Sequence, residues 1–206
     1  MPANRKLVLA SAILLVLSFL AILVAGLVNK SGSPVAASKP QKAPVPPAAF
    51  ELLDENDRIV TETSYTDTLK LIYFGFTYCP DVCPNQLSVM AEALDLLEAD
   101  TLQSVTPILI TLDPERDTAQ TIKTYTDFFH PKLIGLTGTP EQIQNVASRF
   151  KVYFAKVEDE QSAAAYTIDH SSIVFLMGRD NGFVRAFTFR DTPQAMADAI
   201  RVAAGG

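Results

Sequence analysis

Leu71-Ile72-Tyr73-Phe74-Gly75-Phe76-Thr77-Tyr78-Cys79-Pro80-Asp81-Val82-Cys83-Pro84 begins as an apolar, aromatic run and ends in the only two cysteines of the 206-residue chain. Leu69 to Phe76 is aromatic, β-branched and nearly uncharged, the pattern of a central strand buried on both faces. Directly after the cysteines, Leu87, Met90, Leu94 and Leu97 recur at helical spacing and predict an amphipathic helix through about Leu97. Both thiols therefore fall at a strand-to-helix junction.

Outward from that junction the strands and helices alternate. Phe50–Asp54 and Ile59–Thr63 read as a hairpin turning at Glu55-Asn56-Asp57. Val105–Leu112 is a strand, and Asp117 or Thr118 caps a helix running to about Phe129. Leu133–Leu136 is a short strand, Pro140–Phe150 a helix, Val152–Val157 a strand and Glu158–Ala164 an exposed loop. Ser172–Met177 and Phe183–Phe189 pair around Asp180-Asn181-Gly182, and Thr192-Pro193 starts a last helix. A hairpin, a βαβ unit, a helical insertion and a ββα unit predict an α/β fold: a thioredoxin-like mixed sheet with helices on its faces.

Leu7 to Val28 is 22 residues without a charge, interrupted by Ser11, Ser18 and Gly26. As a helix it spans roughly 33 Å, enough for a hydrocarbon core of about 30 Å. A cleaved signal peptide has a shorter apolar core, roughly 7 to 15 residues, so this segment is expected to be one transmembrane helix. Arg5 and Lys6 place residues 1–6 in the cytoplasm and the remainder outside. Residues 29–49 carry Pro34, Pro40, Pro44, Pro46 and Pro47 and predict a semi-extended tether to a domain at 50–206. The absence of an Arg- and Ser-rich leader favours a bacterial plasma membrane with the domain on its periplasmic side; the mitochondrial inner membrane is the alternative.

Residues 1–49 hold five Lys/Arg and no acid, leaving 12 bases against 23 acids in residues 50–206. That domain sits near −11, which argues against nucleic-acid binding, where a basic face is needed.

A structural disulfide gains little here, because a loop with three intervening residues restricts the unfolded chain only slightly. Two thiolates beside a helix N-terminus, both expected to have lowered pKa values, suit dithiol–disulfide exchange or a soft metal ion. The spacing is C-x-x-x-C, not C-x-x-C, and the chain contains no Trp. The wider bite leaves room for a metal. Of the two histidines, His130 reads as a loop residue with a structural role. His170 directly precedes a strand and could project from the cysteine edge, its ring oriented by Asp169 or a backbone carbonyl.

Phe74–Pro84 resembles the signature of the SCO/SenC family, and Leu112–Thr118, Leu133–Gly138 and Asp169–Ser172 match further segments in the same order. The resemblance covers about residues 50–202 and the anchor topology. It implies a membrane-tethered, thioredoxin-like copper chaperone for cytochrome c oxidase assembly. Cys79, Cys83 and His170 would hold Cu(I) or Cu(II), and the binuclear copper centre of oxidase subunit II, or another periplasmic copper carrier, would be the partner. The alternative is a tethered thiol–disulfide oxidoreductase acting on such partners through a Cys79/Cys83 redox pair. A thiol peroxidase would need a single activated cysteine, which this pairing does not resemble. Tyr78 stands where some relatives have His, and Asp57-Arg58 where relatives often have a glycine turn. Asp113, Arg116 and Asp117 match a family motif too, and capping and loop fixing account for them.

Overall fold

Strand β3, Leu69–Gly75, is buried at every position and lies inside a seven-stranded sheet. The computed structural model describes residues 50–158 and 165–205. The predicted anchor at 7–28, its flanks at 1–6 and 29–49, and residues 159–164 of the expected loop lie outside the described residues. No helix among the described residues is long and apolar enough to cross a membrane.

Strands β1 (Glu51–Asp54), β2 (Ile59–Thr61), β4 (Val105–Thr111), β5 (Ile134–Thr137), β8 (Val174–Met177) and β9 (Phe183–Phe187) complete the sheet in the order β2-β1-β5-β4-β3-β8-β9. β3, β4 and β5 run parallel, while β1, β2, β8 and β9 pair antiparallel. The mixed thioredoxin-like sheet expected from the sequence is therefore present. Helices α1 (Val82–Asp95), α3 (Ala119–Phe129), α4 (Pro140–Arg149) and α5 (Pro193–Ala204) follow β3, β4, β5 and β9. Phe74 anchors the core against Phe150 and Phe175, at ring separations of 5.2 and 6.2 Å.

The elements depart from the sequence reading in three places, and the choice between Asp117 and Thr118 as helix cap is resolved. The second strand stops at Thr61, because Glu62–Tyr65 coils into a 3-10 turn. A short helix α2, Ala99–Gln103, was not expected, and its apolar content is too low to show periodicity. Thr118 caps α3, accepting from Thr121 N at 3.2 Å, and the neighbouring Asp117 is buried instead. Last, Tyr166–His170 is a strand, β7, which pairs antiparallel with β6 (Phe154–Glu158) in a two-stranded sheet of its own. The sequence reading had placed no strand there.

Candidate metal centre

β3 carries the chain to Phe76, and Cys79 N donates to Phe76 O at 3.3 Å, folding the cysteine loop back over the strand end. Asp81 precedes α1, and Cys83 is that helix's second residue. Cys83 is fully buried while Cys79 is half-buried, and both are free thiols. The loop is fixed from beneath by Asp117, whose buried carboxylate accepts from Thr77 N at 3.0 Å, Thr77 Oγ1 at 2.5 Å and Thr111 Oγ1 at 2.7 Å. Burial pushes the Asp117 carboxyl up, and these donors oppose that push.

The other half of the site arrives from the β6–β7 hairpin. His170 closes β7, opposite Phe154, and its Nε2 lies 3.5 Å from Cys83 Sγ. Its Nδ1 faces Ser171 O at 3.2 Å. A carbonyl can only accept, so Nδ1 carries a proton, and Nε2 is the ring atom turned toward the thiols. Of the two orienting groups expected, the backbone carbonyl serves and Asp169 stays exposed. Tyr73 and Phe76 meet the imidazole edge-on at 6.3 and 5.8 Å, and the Tyr73 hydroxyl lies 3.3 Å from Ser172 Oγ.

The ligand atoms of Cys79, Cys83 and His170 all lie within 4.8 Å of one another. Donors sharing one ion at ~2.0–2.3 Å sit roughly 3.5–4 Å apart, so small side-chain movements would complete a three-donor set. His130 is not part of this cluster. It is buried, its Nδ1 accepts from Lys132 N at 3.0 Å, and burial lowers its pKa, as a structural loop histidine requires.

The two thiols are not equivalent, which corrects the expectation of two lowered pKa values. Cys79 is lowered to about 4, chiefly by its hydrogen bond with Cys83 and further by His170 and backbone N–H donors. Cys83 is pushed up, because its own proton is held in that same bond and because it is buried. In effect the pair retains one proton and offers one thiolate. Iodoacetamide should therefore alkylate Cys79 and spare Cys83 in the native chain. The rate should stay nearly flat from pH 8 down to about pH 5, since Cys79 remains ionised above its pKa. Mass mapping of the labelled cysteine checks this; equal labelling of both thiols would refute it.

Asp117, Tyr73 and the turn containing Arg116 had no site role in the sequence reading. Their places follow from the parallel β3–β4 register, Gly75 opposite Thr111, which sets residues 113–117 beside Thr77 and Tyr78.

A family model described as SCO1/SenC matches residues 38–205. An SCO2-like protein of Rickettsia conorii is 40% identical over 152 residues, which cover 74% of this chain and 74% of the relative. The crystal structure of Arabidopsis thaliana ScoI with copper bound is similar at a TM-score of 0.70 and 37% identity, covering 76% of this chain and 96% of that one. Bradyrhizobium japonicum ScoI with copper bound gives a TM-score of 0.69 at 39% identity, covering 75% and 97%.

Proposed function

Because the chain belongs to the SCO1/SenC family, we propose that it is a copper metallochaperone serving cytochrome c oxidase assembly, with Cys79, Cys83 and His170 as its ligands. The observation that carries this reading is the donor set: two sulfurs and one oriented imidazole within 4.8 Å. Soft thiolates select Cu(I), and the imidazole makes Cu(II) bindable as well. Copper-bound relatives on the same fold support the choice of metal.

Copper is cargo here, and the asymmetry of the thiols suits its transfer. Half-buried Cys79 is the ligand that an acceptor's thiolate can replace, while fully buried Cys83 retains the ion until exchange is complete. The acceptor we favour is the binuclear copper site of oxidase subunit II. Residues 7–28 would anchor the chain in a bacterial plasma membrane, and residues 29–49 would hold the domain a short distance outside it. A mitochondrial inner membrane, with the domain in the intermembrane space, is the alternative.

Titrating the reduced full-length chain with copper tests the ligand set. One equivalent should bind, with a thiolate-to-Cu(II) absorption band that disappears in Cys79→Ala and in Cys83→Ala. A band that survives either substitution would remove that cysteine from the site.

A second reading follows from the same asymmetry. An accessible thiolate beside a buried thiol is the arrangement of an attacking and a resolving cysteine. Cys79 would attack a partner disulfide, releasing one partner thiolate. Cys83 would then displace the second, passing its proton to the leaving sulfur and forming a Cys79–Cys83 disulfide. Reduction of a disulfide in the oxidase subunit by the metal-free chain would support this reading, and His170 would be dispensable for it.

A further inference from the structure

His170 belongs to a hairpin that shares no backbone ladder with the sheet whose strand β3 leads into the cysteine loop. Its 3.5 Å approach to Cys83 must therefore be set by side-chain contacts and by the short connection into β8. Nor is the hairpin packed tightly throughout. A cleft of about 160 Å³ lies beneath it, lined among others by Pro114, Ile143, Phe154, Tyr166 and Ile168.

One side chain reaches both halves of the site. The Arg116 guanidinium lies 3.7 Å from the Tyr166 ring centre and 4.7 Å from that of Tyr78. Its Nη1 donates to Tyr166 O at 3.1 Å, and its Nε donates to Asp113 Oδ2. Asp113 Oδ1 in turn accepts from the Tyr166 hydroxyl at 2.9 Å. Tyr78 immediately precedes Cys79, and Tyr166 begins the strand that His170 ends. We propose that Arg116, held by Asp113, is a positioning residue for the copper site: stacked between Tyr78 and Tyr166, it sets the histidine hairpin against the cysteine loop.

The chemistry of the clamp calls for arginine. A planar guanidinium can lie against aromatic faces while donating sideways in its own plane, whereas a lysine ammonium is a point charge with no plane to stack. With lysine at 116 the Asp113 ion pair can persist while the stack is lost. The hairpin then keeps its fold but samples more positions, and His170 spends less time within reach of an ion.

This inference rests on the copper reading, and its test separates the two. In the full-length metal-free chain, Arg116→Lys should unfold at nearly the wild-type temperature, while the His170 imidazole NMR signals broaden. Copper should leave the variant for a competing chelator about tenfold faster, the scale typical of groups that orient metal ligands. In the His170→Ala background, Arg116→Lys should add nothing to copper release, because the ligand it positions is gone. Unchanged His170 signals and release rate in Arg116→Lys, or an equal acceleration without His170, would overturn the inference and leave copper binding intact. Failure of the wild-type chain to bind copper would instead strike the underlying reading.

Discussion

Replacing His170 with alanine should lower Cu(II) affinity by on the order of a hundredfold or more while leaving the fold and the dithiol in place. Removing a group that merely orients a ligand commonly costs about 10–100-fold, and removing the ligand itself should cost at least as much. A hundredfold is about 2.7 kcal/mol of binding free energy. Cu(I) should be less affected, because two thiolates satisfy a soft ion without an imidazole. Structurally the loss is small: a hydrogen bond to Ser171 O, the 3.5 Å contact with Cys83 Sγ and edge contacts with Tyr73 and Phe76. Thermal unfolding should therefore move by only a few degrees. Competition titrations with each copper state, beside an unfolding curve, check the result. Unaltered Cu(II) affinity in a folded variant would mean that the three-donor site is wrong.

A single methyl group at Gly75 should damage stability and site together. Among the described residues no glycine has positive φ, so the demand at Gly75 is for space. A Cβ there would stand 2.8 Å from Tyr73 Cε1, 3.0 Å from Cys83 Sγ and 3.4 Å from Leu109 Cδ1. Tyr73, Cys83 and Leu109 are all fully buried, so none can swing into solvent. Overfilling such a core costs typically about 1–3 kcal/mol, and part of the relief must come from moving the Cys83 sulfur. Gly75→Ala should therefore melt lower and bind copper more weakly even under conditions where it is fully folded. Gly205→Ala is a fitting control, because the nearest atom to its new Cβ is Arg201 O at 3.6 Å. Denaturant midpoints and copper affinity for both variants give the comparison. A Gly75→Ala chain with native affinity would show that the Cys83 position is not held by this packing.

Much of this was readable from residue pattern because the decisive signals are local. The uncharged run from Leu71 to Phe76 gave a buried strand, and Leu87, Met90 and Leu94 gave the helix behind it. Lys70 is the exception inside that strand: it is buried, and its Nζ donates to Tyr65 O and Arg179 O, each at 3.3 Å. Strand β7 is not legible in the sequence although Tyr166, Ile168 and His170 alternate with Thr167 and Asp169. Five residues of period two, beside a polar segment, do not stand out from a loop. The proposed ligand set came from spacing and resemblance, but the unequal thiols did not, since full burial of one sulfur and half-burial of the other depend on how α1 meets the sheet. Arg116 was assigned to loop fixing because its aromatic neighbours come from the cysteine loop and the hairpin, remote in sequence and adjacent only in the folded chain.

The separate two-stranded sheet has a consequence for how the empty and loaded chains differ. An ion bound to Cys83 and His170 ties together residues 87 positions apart and would act as a removable crosslink between two bodies that share no ladder. Without it, the hairpin could open without unfolding of the sheet. Loading would then change the molecule's stiffness more than its shape, and a partner touching both the hairpin and the cysteine loop could sense the cargo through that stiffness, before any ligand is exchanged.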